Sequence, residues 1–166
     1  MVDKDLLAKE KVEHTGLFDF KGLYSYAHSW FKDENYGVNE DKYSEKVKGE
    51  TKNLTVEWKA VKRLSDYFKI EHAIKFEISD MSEVEVEIDG KRKKMNKGAL
   101  SIEIKATLIK DPDSKWESPP LYRFWRDVYN KFIIPARVDA MEFKTMSDAR
   151  KFKDDIKIFL DLAGRR

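Results

Sequence analysis

The residue with the clearest capacity for chemistry is His72, which stands within the alternating stretch from Asp66 to Ile78. The even positions of this stretch are apolar apart from the histidine, and most odd positions are lysine or glutamate. Because side chains alternate across a strand, the stretch predicts a strand with one dry face that includes His72. A buried imidazole needs a hydrogen-bond partner, and its pKa is open to perturbation. His72 is therefore either an orienting group in a site or a core histidine bonded to a backbone carbonyl or a tyrosine.

The usual catalytic and metal-binding motifs are absent from the sequence. There is no cysteine, and His14, His28 and His72 share no ligand spacing such as His-x-x-x-His. The fragments at 33–35 and 111–113 lack the glycine and glutamate that complete a calcium loop. There is also no nucleophile elbow, no dinucleotide fingerprint and no P-loop. We therefore expect no metal and no cofactor, and nothing in the sequence supports an enzyme.

A run of four basic residues follows the Asp-Gly hairpin signal at 89–90. A two-residue turn there pairs Glu87 with Arg92 and Glu85 with Lys94, and opposite charges stabilise such a strand pair. The whole chain has 33 basic and 31 acidic residues, a net charge of +2. Phosphate binding needs unpaired positive charge. A nucleic-acid partner is therefore the least favoured hypothesis.

The period of two recurs along the chain and predicts an antiparallel sheet. Apolar residues alternate in four segments: Leu54–Ala60, Phe68–Ile78, Val84–Ile88 and Leu100–Leu108. The lysine-rich segment Tyr43–Lys48 is typical of an edge strand. Since every connection is short, we expect a curved meander of five or six strands, with turns at 79–80, 89–90 and 96–98.

The part of the chain before the sheet predicts one helix and no strand. Residues 1–17 mix charged and apolar positions, so we expect a flexible or weakly helical arm. Asp19 is a suitable N-cap for the helix that follows. The segment Asp33–Gly37 ends this helix, with Gly37 suited to a positive φ. Residues 18–166 are expected to form a single α+β domain.

After residue 111 the pattern becomes helical. Ser118 and the two prolines after it begin a helix that is apolar on nearly all sides and should kink or break near Pro135. Past a shorter segment to about residue 143, Thr145 or Ser147 caps a last helix that ends at Gly164. A helix that is apolar all round is buried on more than one face. We therefore expect C-terminal helices on one face of the sheet.

The Pro-capped helix also carries a candidate interface. One flank combines tyrosine, arginine and an apolar residue: Tyr122, Arg126, Tyr129, Ile133 and Arg137. Tyrosine and arginine together occur in protein interfaces and in platforms for single-stranded nucleic acid. The alternative is that Tyr122, Tyr129 and Ile133 pack beneath another helix as core. The leading functional hypothesis is a non-enzymatic binding or assembly module that contacts a protein partner, or a second copy of the chain, through this flank.

The order of elements over residues 41–163 resembles that of helix-grip proteins, in which a long antiparallel sheet wraps a C-terminal helix. Those chains usually open with a strand before their first helices, and no strand is predicted here before Asp41. The resemblance implies a lipid-like or aromatic ligand enclosed between sheet and helix. With His72 as the orienting polar group, the lining would be Trp58, Phe68, His72, Phe76 and Trp125. A carrier of a small hydrophobic ligand is therefore the alternative function.

Composition and the chain start add an expected location. The chain is 41% hydrophobic and 13% aromatic, which excludes a disordered protein. The first ten residues are too polar for a signal peptide, and no run approaches ~18 apolar residues. We therefore expect a cytoplasmic protein without a membrane span.

Overall fold

The computed structural model describes residues 3–65, 67–110 and 135–164, which form an α+β fold. Five strands make one antiparallel sheet: β1 Asp3–Phe18, β2 Gly37–Lys48, β3 Thr51–Arg63, β4 Phe68–Ile88 and β5 Lys91–Lys110. Helix α1 (Phe20–Asp33) follows β1, and helix α2 (Pro135–Gly164) packs on the sheet. The strand order is β1-β5-β4-β3-β2, so β2 to β5 form a meander and β1 lies beside the last strand. The predicted α+β class with an antiparallel sheet is confirmed.

Strand β1 corrects the expectation of a flexible or weakly helical arm in residues 1–17. Residues 3–18 pair with β5, from Asp3 opposite Lys110 to Phe18 opposite Asn96. The alternation of apolar and polar residues that predicts a strand is weak in β1, because some of its inward positions hold polar residues. One of these is Glu10, whose carboxylate lies 3.1 Å from the Lys153 ammonium of α2. A polar residue was thus compatible with the covered face, because a charged residue of α2 meets it there.

The predicted hairpin between β4 and β5 is confirmed in its register. Both residues of the turn at 89–90 have positive φ, 52° and 77°, as a two-residue hairpin turn requires. Glu85 lies opposite Lys94 and Glu87 lies opposite Arg92. Two of the four basic residues therefore face glutamates across the strand pair, whereas Lys91 lies opposite Ile88 and Lys93 opposite Val86.

Both strands of this hairpin continue through positions where the sequence predicted turns, at 79–80 and 96–98. In β4 the register shifts between Ser79 and Ser82, which marks a bulge. Asp80 within it has a φ of 54°, and its N–H donates to the Asn53 side chain at 2.9 Å. The polar residues that suggested a loop thus bend a strand without ending it.

Gly98 of β5 is required by this bulge. A Cβ atom at Gly98 would lie 2.9 Å from the carbonyl oxygen of Ser79 and 3.2 Å from the Cα of Met81. Both neighbours are backbone and cannot rotate away, so we expect Gly98→Ala to lower the free energy of unfolding by about 1–3 kcal/mol. Urea unfolding followed by circular dichroism measures this loss.

The matched control is Gly37→Ala at the start of β2. A Cβ there meets nothing closer than the carbonyl oxygen of Val61 at 3.8 Å. We expect this variant to be neutral or slightly stabilised, because alanine restricts the unfolded chain. Equal unfolding free energies for the two variants would contradict the role assigned to Gly98.

Helix α1 begins at the predicted cap and is tied to the sheet there. The Asp19 carboxylate accepts a hydrogen bond from the Gly22 N–H at 3.2 Å, which confirms Asp19 as the N-cap. The Phe20 N–H donates to the side-chain oxygen of Asn96 in β5 at 3.0 Å. Two of the N–H groups that a helix start leaves open are therefore satisfied by side chains.

The end of α1 differs from the expectation at Gly37. The positive φ is at Asn35, at 66°, and Gly37 instead opens β2. Asparagine tolerates this conformation because its short polar side chain bonds locally. The Tyr36 N–H donates to the carbonyl oxygen of Phe31 at 2.8 Å. This turn places the Tyr36 side chain in the core, where it is 4% exposed.

Helix α2 is continuous from Pro135 to Gly164, where a break and a new cap were expected around residues 143–147. The Thr145 hydroxyl donates to the carbonyl oxygen of Met141 at 2.7 Å, so it is satisfied inside the helix rather than at its start. A stripe of apolar residues on this helix faces the core. Its fully buried members are Ala149, Phe152, Ile156 and Leu160. The Pro-capped helix expected before residue 135 lies outside the described residues.

The two faces of the sheet have opposite character. The inner face carries the core, and its residues on β3, β4 and β5 are buried at alternate positions. The outer face carries exposed ion pairs, such as Lys75 with Glu77 at 2.8 Å and Lys9 with Glu103 at 3.7 Å. Exposed pairs of this kind add little stability but they neutralise the surface. The nucleic-acid hypothesis gains no support from this face.

Candidate ligand site on the inner face

His72 lies on the inner face at the centre of the sheet. Its cross-strand neighbours are Ala60 on β3 and Ala106 on β5, and all three side chains have no exposed surface. On the helical side, the Phe31 ring centre of α1 is 5.9 Å from the imidazole centre. The histidine is thus flanked by small residues within the sheet and faces an aromatic ring from the helices.

A chain of hydrogen bonds connects His72 to α2. The His72 Nε2 atom lies 3.1 Å from the Tyr36 hydroxyl oxygen, and that hydroxyl donates to Asp148 Oδ2 at 2.7 Å. The Lys144 ammonium lies 3.4 Å from the same carboxylate oxygen. We call these four residues the inner hydrogen-bond chain. It joins β4, the turn before β2, and α2 through side chains alone.

One polar atom of this chain is left without a partner. Among the described residues, no group bonds to His72 Nδ1, although the atom is buried. Most buried side-chain polar atoms in proteins have at least one hydrogen-bond partner. Such an exception marks a position where a further group can bind.

Burial sets the protonation of the histidine and the tyrosine. It lowers the pKa of His72 to about 4; the charge of Asp148 opposes this shift and that of Lys144 adds to it. Burial also raises the pKa of Tyr36, as do the hydrogen bond and charge of Asp148. Imidazole and phenol are therefore both neutral at pH 7.

The structure places four of the predicted ligand-lining residues on the inner face. Trp58 and Phe76 form one aromatic group, with ring centres 4.9 Å apart. Phe68 and His72 lie further along β4, and all four are at most 3% exposed. The fifth, Trp125, lies outside the described residues. Their role in binding a ligand stays a prediction.

The predicted interface lies almost wholly outside the described part of the chain. Tyr122, Arg126, Tyr129 and Ile133 lie outside the described residues. Arg137 lies in the first turns of α2, and its side chain is also outside the description. These residues stay a prediction.

Sequence reasoning missed the partners of His72. A tyrosine had been foreseen as one possible partner, but Tyr36 stood in the segment assigned to the end of the first helix. Asp148 could have been identified from the sequence, because it follows Thr145 by three residues and precedes Phe152 by four. This spacing places it on the buried stripe of α2. A carboxylate on such a stripe requires a hydrogen-bond partner.

Other parts of the molecule offer shallower features. Two surface depressions, with volumes of about 170 and 220 Å³, are lined mainly by charged residues and turn residues, and neither is lined by Phe68, His72 or Phe76. Within residues 3–65, 67–110 and 135–164, no cluster of three histidine, aspartate or glutamate side chains is suited to a metal ion. Neither described helix is long and apolar enough to cross a membrane.

No protein-family model matches this chain, and no curated protein or solved structure is significantly similar to it. The inner face combines an aromatic surrounding, two small cross-strand neighbours and a buried polar atom to which no described residue bonds.

Proposed function

We propose that the chain is a non-enzymatic binding protein that holds a small, largely apolar ligand between the sheet and α2. The observation that carries this proposal is the buried His72 Nδ1, to which no residue in the described part of the chain bonds. Ligand sites are mostly apolar and contain a few placed polar groups, which is the character of this face. The element order also supports the proposal, because β1 supplies a strand before the first helix, as in helix-grip proteins.

Access to His72 requires movement on the helical side. His72 has no exposed surface, so a ligand reaches it only when neighbouring side chains are displaced. Besides Tyr36, the nearest described ring is that of Phe31 in α1, which packs on Phe152 of α2 with ring centres 4.7 Å apart. Helix α2 packs mainly along β1 and β5 and only slightly on β4. Rotation of these two rings together with a small shift of α2 then opens the site.

Native mass spectrometry of freshly purified protein tests this function. We expect a monomer with an additional mass that is lost on denaturation, because a ligand held by non-covalent contacts is released when the fold is lost. A His72→Leu variant, which removes the polar atom, should lose the additional mass. A His28→Leu variant, at an exposed histidine of α1, is the matched control and should keep it. A wild-type monomer without bound mass would contradict the carrier function.

A second candidate is assembly through the Tyr/Arg flank predicted at 122–137. It is supported by Phe143 of α2, which is 73% exposed and follows Arg137 in the same helix. A dimer in the native spectrum favours this candidate. Tyr129→Ala should then weaken the dimer in concentration-dependent size-exclusion chromatography, whereas Tyr43→Ala, at an exposed position of β2, should not.

A further inference from the structure

The inner hydrogen-bond chain has a defined direction. The Tyr36 hydroxyl has a single hydrogen, and it donates this hydrogen to Asp148 at 2.7 Å. Its oxygen can therefore only accept from His72, so the histidine carries its hydrogen on Nε2. The Lys144 ammonium favours the charged carboxylate at the other end. The order of donation runs from His72 through Tyr36 to Asp148.

This direction determines what His72 offers to a ligand. With hydrogen on Nε2 and a neutral ring, Nδ1 presents a lone pair and accepts a hydrogen bond. Charged ligands are disfavoured, because the surrounding side chains are apolar and no described group beside Nδ1 can pair with the charge. Ala60 and Ala106 on either side leave the imidazole edge free of long cross-strand neighbours.

We infer that the ligand of this site is an uncharged, mostly apolar molecule that donates one hydrogen bond from a hydroxyl or N–H group to His72 Nδ1. This inference rests on the proposed carrier function and specifies its ligand class. An anion, such as a fatty-acid carboxylate, lacks the donor. A pure hydrocarbon lacks it as well and leaves Nδ1 unpaired.

The first test is the tautomer of His72 in the wild-type protein. Long-range nitrogen–proton NMR spectra of ¹⁵N-histidine-labelled protein at pH 7 distinguish the two neutral forms and the charged ring. We expect hydrogen on Nε2 and an unprotonated Nδ1. Hydrogen on Nδ1, or a charged ring, would overturn the inference, whether or not a ligand is found by native mass spectrometry.

The second test compares phenol, toluene and benzoate, which share an aromatic ring. Phenol should bind several times more tightly than toluene and should move the Nδ1 resonance, whereas benzoate should not bind. The titration is repeated with Phe31→Ala, which removes a ring beside His72, and with Phe31→Leu as a milder variant. Each Phe31 variant that folds should also bind phenol more tightly than toluene and benzoate.

The outcomes separate the ligand class from the carrier function. Equal binding of phenol and toluene, or tighter binding of benzoate, overturns the ligand class and leaves the carrier function standing. Absence of phenol binding in wild type and in both Phe31 variants also overturns it. A native spectrum without bound mass removes the carrier function instead, independent of these titrations.

Discussion

The Tyr36→Phe variant is expected to lose about 2–4 kcal/mol of unfolding free energy, although it removes a single oxygen atom. The hydroxyl is the middle member of the inner hydrogen-bond chain and contacts both His72 and Asp148. Without it, His72 Nε2 loses its acceptor and Asp148 loses its donor inside the core. A buried polar group without a partner costs about 1–3 kcal/mol, which applies to His72 Nε2, and Asp148 keeps only its longer contact with Lys144 at 3.4 Å. Urea unfolding at pH 7 measures the loss.

Tyr24→Phe provides the matched control. The Tyr24 hydroxyl donates to the Glu40 carboxylate at 2.8 Å, but this hydrogen bond is exposed to solvent. Water replaces the lost partner there, so we expect a loss of at most about 1 kcal/mol. If the two variants lose the same stability, the inner chain does not contribute as described.

Acidification is expected to destabilise the protein through His72. Its pKa is about 4 in the folded state, because of burial, against 6.5 in the unfolded chain. Between these values the unfolded state binds a proton that the folded state does not, so stability falls as pH falls from about 6.5 to 4. The loss is about 2 kcal/mol between pH 7 and pH 5, and about 3 kcal/mol when pH 4 is reached. Above about pH 7.5 the histidine contributes almost no pH dependence, because it is neutral in both states.

Comparison with two variants isolates this contribution. We expect His72→Gln to show a smaller fall in unfolding free energy between pH 7 and pH 5 than wild type, whatever its stability at pH 7. His28→Gln, at an exposed position of α1, should fall as much as wild type. The carboxylates that also titrate in acid are common to all three proteins and cancel in the comparison. A wild-type slope retained in His72→Gln would contradict the assignment.

The elements that could be predicted from the sequence are those in which local pattern and tertiary environment agree. The central strand, its dry face and the register of the hairpin follow from the period of two and the Asp-Gly turn. Strand β1 could not be predicted, because Glu10 occupies an inward position and its ion pair with Lys153 depends on a helix near the other end of the chain. The bulge at 79–82 was predicted as a turn, since aspartate at position 80 and glycine at position 98 are residue types that are common in turns.

The candidate site was predictable in part. His72 is identified by one polar residue on an apolar face, which is a local signal. Its partners Tyr36 and Asp148 lie 36 and 76 positions away from it in sequence (72 − 36 and 148 − 72), so no local spacing joins the three. Only the folded arrangement of β4, the end of α1 and α2 shows that they form one chain.

The position of β1 beside β5 has a consequence for synthesis of the protein on the ribosome. Strand β1 emerges first, but its pairing partner emerges only after all the other strands, and α2, which packs against it, emerges last. Until β5 is complete, β1 lacks its only neighbouring strand among the described elements, and the growing meander presents an open edge on its last strand. The sheet therefore cannot be completed in the order in which its strands are synthesised, because β1 must wait for β5. We therefore expect unpaired strand edges, which favour association between chains, to persist until β5 has been synthesised.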